Sequence, residues 1–69
     1  MNNKAPNLLT VSQFSDQFPA FPAGGLRFQI FNEENNGLKE AGAIIRLGRK
    51  VLIDVDRYFN WVYSKNQIA

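Results

Sequence analysis

In the run AIIRLGRKVLID, residues 43–54, Arg46 precedes Gly48 while Arg49 and Lys50 follow it. With Lys39 and Arg57 they make five of the chain's eight basic residues, gathered between positions 39 and 57. Guanidinium and ammonium groups crowded around a tight turn suit the gripping of phosphate or another polyanion. A plain solvated face has the same composition, so geometry has to separate the two. Earlier in the chain, Arg27 offers a guanidinium that can hold guanine O6 and N7 or clamp a phosphate, and Gln29 has the amide that pairs with adenine.

The 69 residues contain no histidine and no cysteine. The commonest general base and the commonest zinc ligand are therefore missing together, as are thiolates and disulfides. Nothing assembles a nucleophile, a base and a metal, so neither an enzyme nor a cofactor is expected. Net charge is +2 with a sequence pI near 9.3, a mild excess whose distribution matters more than its size. The opening MNNKAPNLL has no apolar run long enough for a signal peptide, and nowhere do eighteen apolar residues follow one another. A soluble cytoplasmic protein with no membrane partner is expected.

One small domain must position these groups, and its core will be thin. Residues 1–7 are polar and aperiodic, which reads as a disordered tail, and order begins at LLTVSQFSDQF. Thr10 and Gln13 have capping-box spacing, Leu9 and Phe14 occupy staple positions, and Val11, Phe14 and Phe18 share a helical stripe that Pro19 ends. The stretch FPAFPAGGLRF, residues 18–28, is too short and too aromatic for a linker and reads as a packed turn. A helix over residues 23–35 follows, with Leu26 and Ile30 facing inward and Gly37 as its C′ glycine. LRFQIF also alternates like a strand, but the Asn-Glu-Glu-Asn run and the glycine stop favour the helix. Residues 43–54 read as a β-hairpin. Either a two-residue Gly48-Arg49 loop or a three-residue loop serves, the latter placing Ile45, Leu47, Val51 and Ile53 on one face. Asp54 then caps a last helix with Val55, Tyr58, Phe59 and Val62 inward, Trp61 and Tyr63 at the margins, and residues 66–69 frayed.

The expected fold is α+β, mostly α, over residues 8–65: helix, tight turn, helix, two-stranded β-hairpin, helix, the layout of a small winged helix-turn-helix. Over about residues 8–63 the chain resembles the excisionase-like DNA-binding proteins of the MerR-type winged-helix superfamily. AIIRLGRKVLID followed by FNWV looks like their wing and closing helix, LLTVSQF like their opening helix, and Leu26-Arg27 with NNGL like their recognition-helix region. The sequence departs from them at Ala23, Gly24 and Gly25, where a serine or threonine is usual, and at Phe28 and Gln29, where further basic residues are common. The resemblance implies a protein of a phage or integrated mobile element that binds and bends double-stranded DNA. It also implies a tyrosine-family integrase steered toward excision, neighbouring copies on the DNA, and in some cases a second role as transcriptional regulator.

The residues expected at DNA are Gly24, Gly25, Arg27, Phe28, Gln29, Lys39, Arg46, Arg49 and Lys50. Gly24 and Gly25 leave the helix N-terminus open to a phosphate, although a plain tight turn explains them equally well. Of Phe28 and Phe31, one is expected in the core and the other on DNA or a protein partner. Glu33 and Glu34 should repel phosphate and confine contact to the first half of the helix. Arg57 is expected to oppose Asp54 or Asp56. Exposed Phe28, Phe31 and Trp61 would instead suit a protein-interaction module or small inhibitor.

Overall fold

The computed structural model describes residues 6–65. Its elements, in chain order, are β1 (Leu8–Thr10), α1 (Val11–Gln17), α2 (Ala23–Phe31), α3 (Glu33–Asn36), β2 (Ile44–Leu47), β3 (Lys50–Asp54) and α4 (Val55–Lys65). They form a small α+β domain, mostly helical, with one antiparallel three-stranded sheet of order β1-β3-β2. Among the described residues no helix is long and apolar enough to cross a membrane.

The third strand was not expected. Leu8–Thr10 pairs along β3, Leu9 opposite Ile53, before the chain turns into α1. The tail expected over residues 1–7 is corrected at its inner end, because the Asn7 carbonyl accepts the Val55 amide N–H at 2.9 Å. Residues 1–5 and the expected frayed end 66–69 lie outside the described residues. The capping box at the start of α1 forms as the spacing predicts: Gln13 N–H donates to Thr10 Oγ1 at 3.1 Å, and Thr10 N–H to Gln13 Oε1 at 2.9 Å. The helix stops at Gln17, ahead of Pro19.

The corner after α1 is packed rather than loose. Phe18 and Phe21 turn their rings onto Phe14, with centroids 4.9 and 5.9 Å away, and Tyr58 and Phe59 from α4 complete the cluster at 5.0 and 5.7 Å from Phe14. Phe14 meets Phe21 and Tyr58 edge-on, Phe18 tilted and Phe59 stacked, and edge-on and offset-stacked contacts are the favoured aromatic geometries. Around them Leu26, Leu38, Ala43, Ile53 and Val55 are buried, so each element from α1 to α4 except α3 gives the core a side chain or packs one against it.

The helix expected over 23–35 is split. Asn32 leaves helical geometry at φ −100°, ψ 22°, and both its backbone and side-chain N–H groups donate to the Phe28 carbonyl, at 3.1 and 2.9 Å. An asparagine side chain that competes for backbone in this way ends a helix. The remaining turn, α3, stops at Gly37 with φ +85°, as the glycine signal predicts. Asn36 then binds three separate segments. Its Nδ2 donates to the Gln29 carbonyl, its Oδ1 accepts from Leu38 N–H, and its carbonyl accepts from the Trp61 indole N–H.

In the hairpin the two-residue loop is the one formed: Leu47 faces Lys50, Arg46 faces Val51, and Ile44 faces Ile53. Gly48 has φ +62° while Arg49 keeps a negative φ, the signs of a II′ turn. This register corrects the alternative grouping of Ile45, Leu47, Val51 and Ile53. Ile44, Arg46, Val51 and Ile53 share the face whose Ile44 and Ile53 join the core, and Ile45, Leu47 and Leu52 lie on the other. Asp54 caps α4 as expected, Oδ1 accepting the Arg57 amide N–H at 3.2 Å.

Candidate nucleic-acid interface

Helix α2 is preceded by Pro22 at its N-cap, whose ring offers the first turn no side-chain cap. A Cβ on Gly24 would meet nothing within 4 Å, and one on Gly25 only the Pro22 ring at 3.9 Å. Neither glycine has a positive φ. Packing and backbone therefore explain neither residue, although a helical glycine costs up to about 1 kcal/mol against alanine.

Inward, Leu26 is buried and Ile30 packs on the core. Gln29 also turns inward: its Oε1 accepts the Tyr58 hydroxyl at 2.6 Å. This corrects its expected place at a base edge, because an amide holding a part-buried phenol is not displayed to a groove. Burial pushes the Tyr58 pKa above its usual 10.0, and the Gln29 amide, able to turn its N–H end toward a phenolate, offsets part of the rise. Outward, Arg27, Phe28 and Phe31 are exposed, the two rings by 70% and 86%. The expectation that one ring joins the core is corrected, since Leu26 and Ile30 already fill the inward stripe. Trp61, expected as an exposed aromatic, is half-buried and holds Asn36.

The cations divide into two sets. Arg46 is bonded to Glu33, Lys39 to Glu34 at 3.3 Å, and Arg57 to Asp54 at 3.8 Å, the last as the sequence predicts. The Lys39–Glu34 pair is exposed on both sides and contributes at most about 1 kcal/mol, whereas Glu33 and Asp54 are largely covered beneath their exposed cations. The consequence of the pairing is electrostatic: the two glutamates expected to repel phosphate are each matched by a cation. Arg27, Arg49, Lys50 and Lys65, all exposed, have no ion pair among the described residues. Lys39 and Arg46 are thus held in pairs within the chain, whereas the unmatched charge sits on the outward side of α2, at the hairpin turn and, as Lys65, at the end of α4.

A cleft of about 420 Å³ separates α2 from the hairpin. Ile30, Phe31 and Arg27 line it from α2, Arg46 and Val51 from the hairpin, and Val11 from α1. Because Arg46 faces Val51 on the side of the sheet that carries the core, its reach to Glu33 braces the hairpin against α3. Sequence reasoning missed this brace, and only the register reveals it. Compared with family models, curated proteins and solved structures, the chain matches none of them.

Proposed function

We propose that this protein binds double-stranded DNA as a small winged helix-turn-helix, with α2 presented to the major groove and the β2–β3 turn as a wing on the adjacent backbone or minor groove. The observation that carries the reading is the selective pairing of charge: the cations nearest Glu33 and Glu34 are neutralised, and those on the two projecting elements are left free. The uncapped start of α2, with Gly24 and Gly25 open to solvent, supports close approach of a phosphate. Together with the resemblance of its sequence, this favours an excisionase that bends DNA near attachment sites and directs a tyrosine-family integrase to excision. Such a protein works in the cytoplasm, at the nucleoid, with neighbouring copies side by side on DNA.

Fluorescence anisotropy on a labelled duplex at rising salt tests the reading. Affinity should fall steeply with salt, and Arg49→Ala with Lys50→Ala should flatten the slope by about 2, one released counterion for each lost phosphate contact. No binding at low salt would end the proposal. An excision assay beside a promoter reporter separates excisionase from transcriptional regulator. A second reading, an interaction module built on the exposed Phe28 and Phe31, would survive neutralisation of the hairpin turn and fail on Phe→Ala changes.

A further inference from the structure

Gly24, Arg27, Phe28 and Phe31 stand at i, i+3, i+4 and i+7, so they form a single stripe along α2, and all four are exposed. The opposite stripe does the packing, through Leu26, Ile30 and the Gln29–Tyr58 bond. Two phenylalanines on a water-facing stripe add nothing to the core, and a surface helix ordinarily carries polar residues there. Between them and the N-terminal glycine lies a guanidinium with no carboxylate partner among the described residues.

We propose that this stripe reads thymine: Phe28 packs against a thymine C5-methyl group in the major groove, and Phe31 closes over a neighbouring one, beside a guanine held by Arg27. This rests on the DNA-binding reading above and adds the base that the stripe recognises. Thymine alone among the four bases presents an apolar group in that groove, and an aromatic ring, having no hydrogen bond to offer, can select no other edge. Charge complementarity favours duplex DNA over an apolar protein partner. Arg27 within the stripe and Arg49 and Lys50 on the hairpin are unmatched, while the nearby Glu33 and Glu34 are neutralised by Arg46 and Lys39.

The test begins by enriching a pool of randomised duplexes on the full-length protein. The enriched duplex is then compared with copies in which single thymines are replaced by 2′-deoxyuridine, which deletes only the methyl. At the contacted thymines wild-type affinity should fall about fourfold, the worth of one buried methyl. Phe28→Ala or Phe31→Ala should abolish that sensitivity, and Phe28→Leu, which keeps an apolar contact, should retain part of it. Arg49→Ala with Lys50→Ala should weaken both duplexes alike. Wild type that tolerates deoxyuridine at every position, while still binding DNA, overturns the thymine assignment and leaves the DNA-binding reading standing. So do alanine variants that bind and discriminate as wild type does, the result expected if the stripe serves a protein partner. Failure to bind any duplex at low salt overturns both. Because the two rings are exposed, the alanine variants should keep the wild-type circular dichroism spectrum.

Discussion

Tyr58 joins the two halves of the chain through one hydroxyl: its ring sits in the aromatic cluster and its O–H donates to Gln29 on α2. Burial raises its pKa above 10.0, so on alkaline titration the unfolded chain gives up this proton before the folded one does. The stability linked to the neutral phenol is therefore fully present below about pH 10 and is lost as pH rises through the higher folded value. Urea unfolding followed upward from pH 9 should show wild type losing stability faster than Tyr58→Phe. At neutral pH the same variant should be less stable by about 1 kcal/mol, because Gln29 Oε1 loses its donor. Equal slopes in the two proteins would remove Tyr58 from the linkage.

Helix α2 faces two ways, and its glycines separate stability from binding. With open space around the Cβ position and no positive φ, Gly24→Ala should raise the melting temperature, by up to about 1 kcal/mol in stability. On DNA the added methyl obstructs the stripe that Arg27 and Phe28 share, so affinity should fall. A variant that gains stability and loses no affinity would make Gly24 an ordinary residue of the first helical turn. Much of this element is legible from its letters: Leu26 and Ile30 one turn apart, Gly37 as the stop. The break at Asn32 is not, because it depends on whether an asparagine amide finds the Phe28 carbonyl or solvent, and both are open to it in sequence.

Across the molecule, the charge free to meet a polyanion is set by which ion pairs the fold completes. Glu33→Gln with Glu34→Gln should release Arg46 and Lys39, tightening binding to a duplex at low salt and steepening the salt dependence by up to about 2. Anisotropy titrations over a salt series measure both. An unchanged slope would mean that neither released cation reaches a phosphate. The same variant removes the brace between hairpin and α3, and because Glu33 is largely covered beneath a half-exposed arginine, the loss should cost the fold about 1 to 2 kcal/mol.

Local chemistry determined much of this protein in advance. The capping box at Thr10, the helix stop before Pro19, the glycine stop at Gly37 and the aspartate cap at Asp54 each depend on neighbours a few positions away, and each forms as the residues predict. The tertiary structure decided what depends on distant partners. It paired Leu8–Thr10 with β3, drew Gln29 and Trp61 into internal hydrogen bonds, left both Phe28 and Phe31 in water, and matched Arg46 with Glu33. A strand of three residues carries too few alternations to announce itself, and a charge or an amide has the same letter whether its partner is a neighbouring element or a ligand.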